Sequence, residues 1–130
     1  MAKKEFTYKG KTLEELQKLG QEDLMKTLPS RMRRTLKRGL TEEHKKLREK
    51  ILKSKESGKP VKTHCREMPI LPDMVGAKIM LYDGKEFKPI DLTTDMIGHY
   101  VGEFAMPRKQ VKHSSPGVGA TRSSLFVPIK

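Results

Sequence analysis

Apolar residues recur at helical spacing near the start of the chain and predict an opening helix. Leu13, Leu16 and Leu19 lie on one side of this segment, with polar residues between them. Thr12 and Glu15 stand where a capping box places its N-cap and N3 residues, so the helix is predicted to begin there. The glycine at position 20 is predicted to end it.

Three more helices are predicted before residue 59. A short one ends at Pro29, because proline lacks the N–H that a helix interior requires. A basic helix spans residues 31–38, with Ser30 as its N-cap and Gly39 at its end. A fourth begins at Thr41, runs to about Ser57-Gly58, and has a narrow apolar stripe formed by Leu40, His44, Leu47 and Ile51. So narrow a stripe predicts that this helix either docks on something outside its own domain or packs along one edge of it.

The pattern changes to strands after residue 60. Residues 68–72 contain two prolines and cannot form a helix. Residues 77–82 and 87–92 are strand candidates, and the Asp-Gly pair between them is a strong hairpin signal. Pro89 in the second strand predicts an edge position, since proline cannot donate a hydrogen bond to a neighbouring strand.

A short helix follows the hairpin, and four aromatic residues lie in or beside these elements. The helix is predicted over residues 95–100, capped by Thr94 and terminated by Gly102. The aromatic side chains lie among apolar neighbours, which predicts that they belong to the core rather than to an exposed surface that stacks bases. They are Tyr82, Phe87, Tyr100 and Phe104.

The charge of the chain is strongly positive and unevenly distributed. Lys and Arg number 28 against 16 Asp and Glu, which gives a formal net charge of +12. Residues 1–66 hold 20 of the basic and 9 of the acidic groups, and the excess lies between residues 26 and 66. Such a balance predicts a polyanionic partner, more often a nucleic acid than an anionic membrane. The basic helix is the densest segment, because it has five Lys or Arg and no acidic residue.

The sequence gives little indication of catalysis, metal binding or a membrane. The four histidines are scattered, and there is a single cysteine. Cys65 directly follows His64, and adjacent residues of an extended segment point to opposite faces, so we do not expect a catalytic couple. No cofactor is expected either. Apolar runs are far shorter than the roughly 20 residues that span a bilayer, and residues 1–6 lack the apolar region of a secretory signal. We therefore expect an intracellular protein without a membrane partner.

Short blocks between residues 60 and 113 carry a family resemblance. They are Thr63-His64-Cys65-Arg66, Ile70-Leu71-Pro72-Asp73-Met74-Val75-Gly76, Tyr82-Asp83-Gly84-Lys85, Pro89-Ile90 and residues 95–105. The Gly-His-x-x-Gly-Glu-Phe sequence at 98–104 is quite specific at its position after the hairpin. Together these blocks resemble the family of ribosomal protein nineteen of the small subunit. Residues 28–40 and 117–124 resemble the archaeal and eukaryotic branch of this family. In eukaryotes the family member is numbered fifteen.

The resemblance implies a fold, a role and a set of partners. The implied fold is α+β: a helical basic N-terminal extension at 1–59, an RNA-binding core with a small three-stranded sheet and short helices at 60–113, and an extended C-terminal tail at 114–130. The implied role is a structural constituent of the small ribosomal subunit in the cytoplasm, which binds small-subunit ribosomal RNA in the head near the A site and supports translation. The implied partners are ribosomal protein thirteen, other head proteins, A-site transfer RNA and the A-site finger of the large subunit.

The residues expected to contact RNA are cationic or histidine side chains in all three segments, acting mainly on phosphates. They are Arg31, Arg33, Arg34, Lys37, Arg38, Lys62, Arg66, Lys78, His99, Arg108, Lys109, Lys112, His113 and Arg122. A basic DNA-compacting chromatin protein is the alternative. It would have the same charge but would tolerate any duplex.

Overall fold

A computed structural model describes residues 6–110 and confirms the predicted α+β fold. In this part of the chain four α-helices precede a three-stranded sheet. The helices are α1 (Leu13–Lys18), α2 (Gln21–Thr27), α3 (Ser30–Arg38) and α4 (Glu42–Ser57), and none of those described is long and apolar enough to cross a membrane. The strands are β1 (Val61–Thr63), β2 (Lys78–Tyr82) and β3 (Phe87–Asp91), with 3₁₀ turns at Pro72–Met74, Thr94–Met96 and Val101–Phe104.

The helices begin close to the predicted positions. Thr12 caps α1, since its hydroxyl accepts the N–H of Glu15 at 3.4 Å while the Glu15 carboxylate accepts the N–H of Thr12 at 2.9 Å. The prediction that Ser30 caps α3 is wrong, because Pro29 is the N-cap and Ser30 is the first helical residue. The carbonyl of Pro29 already accepts the N–H of Arg33 at 2.9 Å, so the first turn closes one residue earlier than predicted.

One hydrophobic core joins the helices to the sheet. Met32 of α3, Leu47 and Ile51 of α4, and Ile79 and Leu81 of β2 are all buried in it. The narrow apolar stripe of α4 therefore packs against β1 and β2 of the sheet and not against a partner outside the domain. Each fully buried side chain of this size contributes about 1.5–3 kcal/mol relative to an exposed one.

The sheet has the order β1-β2-β3. Strands β2 and β3 form the predicted hairpin, with Tyr82 opposite Phe87 and Ile79 opposite Ile90. Strand β3 lies at an edge, as Pro89 predicted. Strand β1 is parallel to β2. Because β1 has only three residues, it is too short for an alternating pattern to reveal its position in the sequence.

Asp83 organises the turn of the hairpin. Its buried carboxylate accepts the backbone N–H groups of Lys85 and Glu86, each at 2.9 Å, and lies 2.9 Å from the ammonium of Lys88. The N–H of Glu86, the ammonium of Lys88 and the N–H of Lys85 hold the pKa of Asp83 far below its usual range. The ionised carboxylate therefore stabilises the turn at neutral pH, and this stabilisation is lost as acidification protonates it.

The segment after the hairpin is not the single helix predicted over residues 95–100. Two 3₁₀ turns, Thr94–Met96 and Val101–Phe104, lie on either side of Gly98, whose φ of +86° interrupts a helix. The prediction that Thr94 is the cap is wrong, because Thr93 is the N-cap and Thr94 is the first residue of the turn. Gly102 does not end a helix either, since it lies inside the second turn. Backbone groups between the turns bond instead to the extended segment at 66–70. Pairing with a segment distant in the sequence thus outweighs the local capping signal.

Candidate nucleic-acid interface

Helix α3 presents a basic outer surface. Met32 is buried in the core and Leu36 packs against it, so the apolar side of the helix faces inward. The five cationic residues are all exposed, and we call them the α3 basic surface: Arg31, Arg33, Arg34, Lys37 and Arg38. All the RNA contacts predicted for this helix therefore lie where a ligand can reach them.

The charges of the α3 basic surface are not compensated by the described part of the chain. No salt bridge within residues 6–110 includes any of the five. The first turn of α3 has no acidic residue, whereas the first turns of α1, α2 and α4 have two each. Acidic groups there stabilise a helix through its dipole, and Arg31 opposes that dipole. This arrangement lowers the stability of α3 as an isolated helix. It also favours the binding of a polyanion, whose negative charge compensates the arginines and lysine.

Arg33 also has a structural role within the protein. Its guanidinium donates to the backbone carbonyls of Met25, Lys26 and Leu28 at 3.2, 3.4 and 3.3 Å. These carbonyls lie at the C-terminal end of α2, where a helix leaves acceptors without partners. Arg33 thereby fixes α2 against α3, and its contact with RNA stays a prediction.

A cleft of about 550 Å³ is lined by residues of α3, of α4 and of the Val101–Phe104 turn. Arg31 and Thr35 contribute from α3, and the hydroxyl of Tyr100 lies 3.5 Å from Oγ1 of Thr35. His44 of α4 also lines the cleft, and its Nδ1 is buried without a hydrogen-bond partner among the described residues. The cleft brings one arginine of the α3 basic surface close to the 98–104 block.

His99 lies on the surface of that block and pairs with Glu103. Its Nδ1 is 2.7 Å from Oε2 of Glu103, and Oε1 of the same carboxylate accepts the N–H of Tyr100 at 3.1 Å. The N–H of Tyr100, and after it His99, hold the pKa of Glu103 below its usual range, against the opposing effect of partial burial. The ionised carboxylate thus orients the imidazole at the surface. The contact of His99 with RNA stays a prediction.

Arg66 is turned into the protein. Its guanidinium donates to the backbone carbonyls of Tyr82 at 2.9 Å, Gly102 at 2.8 Å and Ala105 at 2.6 Å. It therefore ties the end of β2 to the chain around the Val101–Phe104 turn. Three of its five N–H donors are engaged by these carbonyls, so the structure gives it a positioning role in addition to the predicted RNA contact, which stays a prediction.

Replacing Arg66 by Gln is expected to lower the free energy of unfolding of the free protein by about 2–4 kcal/mol. A hydrogen bond to a charged group contributes about 1.5–3 kcal/mol, and the amide of Gln cannot reach three separate carbonyls. Urea unfolding at neutral pH measures the change. The matched control is Arg34→Gln on the α3 basic surface, which is expected to stay within about 0.5 kcal/mol of the wild type. Equal stability of the two variants would contradict the positioning role.

Lys62 and Lys78 lie on the outer face of the sheet, on the side away from the core. Lys62 is beside Met80 in the register of β1 and β2, and Lys78 is opposite Asp91 in the hairpin. Both lysines are exposed, whereas Ile79 faces the core. Because Met32 of α3 belongs to that same core, the structure does not bring these lysines together with the α3 basic surface.

The remaining predicted contacts lie near or beyond the end of the described residues. Arg108 and Lys109 are exposed, and Nζ of Lys109 is 3.5 Å from a carboxylate oxygen of Glu86. Lys112, His113 and Arg122, with the predicted extended tail at 114–130, lie outside residues 6–110.

Two of the four aromatic residues predicted to belong to the core lie outside it. Tyr100 and Phe104 pack against the core as predicted, but Tyr82 and Phe87 are half-buried side chains on the outer face of the sheet. The alternation along β2 contained the necessary signal. If Leu81 faces the core, its neighbour Tyr82 must face the other way. The apolar residues around Tyr82 in the sequence belong to the opposite face.

The described residues offer no metal site. Between residues 6 and 110, no group of three or more His, Cys, Asp or Glu side chains is arranged to hold a metal ion. The chemistry that this part of the molecule presents is cationic and aromatic, which suits the binding of phosphates and bases.

Comparison with known proteins identifies close relatives. The family model described as Ribosomal protein S19 matches residues 34–113. The small ribosomal subunit protein uS19 of Thermoplasma acidophilum is 54% identical over 127 residues, which cover 98% of this chain and 82% of the relative. The protein of the same name from Halobacterium salinarum is 48% identical over 132 residues, which cover 97% of this chain and 92% of the relative.

Proposed function

This chain belongs to the ribosomal protein S19 family, and from that membership we propose that it binds small-subunit ribosomal RNA in the head of the small subunit, near the A site. Its role as a structural protein of the small ribosomal subunit, rather than an enzyme, follows from the family itself. To this family role the proposal adds that the chain contacts ribosomal RNA and that the contact lies in the head near the A site. The α3 basic surface is the principal anchor in this proposal.

One observation carries the RNA contact: five exposed cations occupy a single nine-residue helix and have no ion-pair partner within residues 6–110. The phosphate backbone of a nucleic acid binds such surfaces because each neutralised phosphate releases condensed counterions. Arginine predominates in α3, and its planar guanidinium can bind a phosphate through two parallel hydrogen bonds.

The proposed partners follow the resemblance of the sequence blocks. We propose contacts of the core with ribosomal protein thirteen and other head proteins, in the cytoplasmic ribosome. The tail at 114–130 is proposed to approach A-site transfer RNA and the A-site finger of the large subunit. These partners are supported by the 98–104 block and by the residues shared with the archaeal and eukaryotic branch.

The proposal is tested by following a tagged copy of the chain in cells whose own copy has been replaced. After a high-salt wash, the tagged protein is expected to sediment with small subunits on a sucrose gradient. Ribonuclease should release it and deoxyribonuclease should not. Chemical footprinting of the purified subunits should show protection in the RNA of the head. Sedimentation with DNA would favour the chromatin alternative, and protection confined to other parts of the RNA would contradict the proposed place.

A further inference from the structure

Three rings form a cluster on the outer face of the sheet, which we call the outer aromatic cluster: His64, Tyr82 and Phe87. The centroid of the His64 ring lies 4.6 Å from that of Tyr82 and 5.3 Å from that of Phe87, and the last two are 5.2 Å apart. Aromatic rings at such separations attract one another and fix their mutual orientation. The cluster is therefore an ordered surface feature rather than three independent side chains.

The backbone arrangement explains why these rings meet. Tyr82 and Phe87 are cross-strand partners in the hairpin, so their side chains leave the same face of the sheet. His64 directly follows β1, whose last residue, Thr63, pairs with Leu81, so His64 comes next to Tyr82. The hydroxyl of Tyr82 donates to the carbonyl of Gly84 at 2.9 Å, which holds its ring against the turn.

The outer aromatic cluster is not part of the hydrophobic core. Thr63 and Leu81 face the core, whereas His64 is an exposed side chain and Tyr82 and Phe87 are half-buried. The half-buried rings of Tyr82 and Phe87 thus pack against the exposed ring of His64. A platform of this kind leaves an aromatic surface available to a flat ligand.

Two exposed lysines lie on the same face as the cluster. The ammonium of Lys62 is 5.4 Å from the centroid of the Phe87 ring, and Lys78 lies four residue pairs further along the hairpin on the same face, opposite Asp91. Neither lysine belongs to a salt bridge within residues 6–110. The face therefore combines exposed positive charge with an aromatic surface, the combination by which proteins bind single-stranded nucleic acids.

We propose that the outer aromatic cluster stacks one unpaired base of the small-subunit RNA on the ring of His64, while Lys62 and Lys78, which both lie in the same direction along the sheet from the cluster, contact phosphates on one side of that base. The inference rests on the proposed function, because it assumes that this RNA is the ligand. It adds a second RNA surface, on the side of the sheet away from α3, that recognises a splayed-out nucleotide. A base within a duplex cannot stack on His64, because both of its faces already stack on neighbouring bases.

Charge makes RNA, rather than a protein, the ligand favoured here. A protein that covered this face would bury Lys62 and Lys78, and burial of an unpaired charge is unfavourable unless the partner supplies carboxylates. A nucleotide stacked on His64 supplies the flat ring, and the phosphates that follow it along the sheet supply the negative charge. Stacking is also tolerant of base identity, so the geometry assigns a class of nucleotide and not a sequence.

Equilibrium binding to a transcript of the 3′ major domain of the small-subunit RNA tests this proposal. His64→Ala is expected to weaken binding by about 5- to 150-fold, the range measured when a stacked base loses its aromatic partner. The slope of log affinity against log salt should not change, because stacking releases no counterions. Lys62→Gln combined with Lys78→Gln should instead reduce that slope by about 0.7–0.9 for each phosphate contact.

Two further variants separate stacking from general damage. His64→Phe keeps an aromatic ring and is expected to retain most of the affinity that His64→Ala loses. Phe6→Ala removes another exposed aromatic side chain, outside the cluster, and should bind as the wild type does. Ultraviolet crosslinking of the wild-type complex should attach RNA to the peptides that contain the cluster residues.

The outcomes distinguish this inference from the proposed function. Wild-type affinity of His64→Ala, with strong binding by the wild type, would overturn the stacking site alone. Loss of affinity with His64→Phe equal to that with His64→Ala would also overturn it. A wild-type protein that does not bind the transcript would contradict both proposals. Crosslinks in assembled subunits that join the cluster to a protein instead of RNA would assign this face to a protein partner.

Discussion

A single methyl group at position 102 is expected to lower the free energy of unfolding by about 1–3 kcal/mol, the usual effect of overpacking a tight contact. A Cβ in Gly102→Ala would lie 2.9 Å from the carbonyl oxygen of Arg66 and 3.0 Å from its Cβ. That oxygen cannot retreat without loss of the hydrogen bond that it accepts from the N–H of Gly102 at 2.8 Å. Urea unfolding of the free protein measures the change.

The contrast with other glycines makes this prediction specific. Gly20 has no atom within 4 Å of an added Cβ, so Gly20→Ala causes no overpacking and should cost only the difference between glycine and alanine as N-cap residues, about 0.5–1 kcal/mol. A Gly102→Ala protein as stable as Gly20→Ala would show that the two segments separate without difficulty. The presence of glycine at position 102 would then need an explanation other than the close approach of two backbone segments.

Gly98, the other glycine of this block, has two constraints. Its φ of +86° is unfavourable for a residue with a side chain, and an added Cβ would lie 2.5 Å from the hydroxyl of Tyr8. The Tyr8 contact involves the far end of a side chain, which can move, whereas the Arg66 contact at Gly102 involves backbone. The block that carries the family resemblance is thus explained, at its two glycines, by packing and backbone conformation rather than by direct chemistry.

Elements specified by local signals could be predicted from the sequence. The capping box at Thr12, the hairpin turn at Asp83 and the end of α4 at Gly58 depend on residues within a few positions of one another. Strand β1 depends on pairing with residues of β2 that lie eighteen positions further along the chain, and its three residues carry no periodic pattern of their own. The turns around Gly98 likewise depend on the distant segment at 66–70.

The candidate site was predictable to the extent that charge density identifies it. The α3 basic surface is exposed as the sequence indicated. Counting charges could not show that Arg66 and Arg33 donate to backbone carbonyls of their own chain, because those acceptors come from other elements. It also could not show the outer aromatic cluster, since the residues that meet there come from β2, from β3 and from the position directly after β1.

Replacement of all five residues of the α3 basic surface by Gln is expected to have the largest effect on RNA binding. Each lost phosphate contact should reduce the slope of log affinity against log salt by about 0.7–0.9, so the full set should reduce it by about 3.5–4.5. Between 50 and 200 mM salt, the wild type should therefore lose on the order of 10²-fold more affinity than the variant. Filter binding to the 3′ major domain transcript over this range measures both quantities.

The helix itself should survive this replacement, because Gln is nearly as favourable in a helix as Arg or Lys, and Met32, which holds α3 to the core, is unchanged. Circular dichroism checks this.

The control variant removes five charges elsewhere, from the exposed lysines Lys18, Lys45, Lys46, Lys50 and Lys53. Four of these lie on α4, where Glu42, Glu43, Glu49 and Glu56 are interspersed with them. Both variants lose the same net charge, from different places. The α3 variant also loses the hydrogen bonds that Arg33 donates to the end of α2, so its urea unfolding is measured beside that of the control. If binding depends on phosphates placed along α3, the control should retain nearly the whole salt slope. Equal loss of slope in the two variants would show that overall charge, rather than the α3 basic surface, holds the RNA.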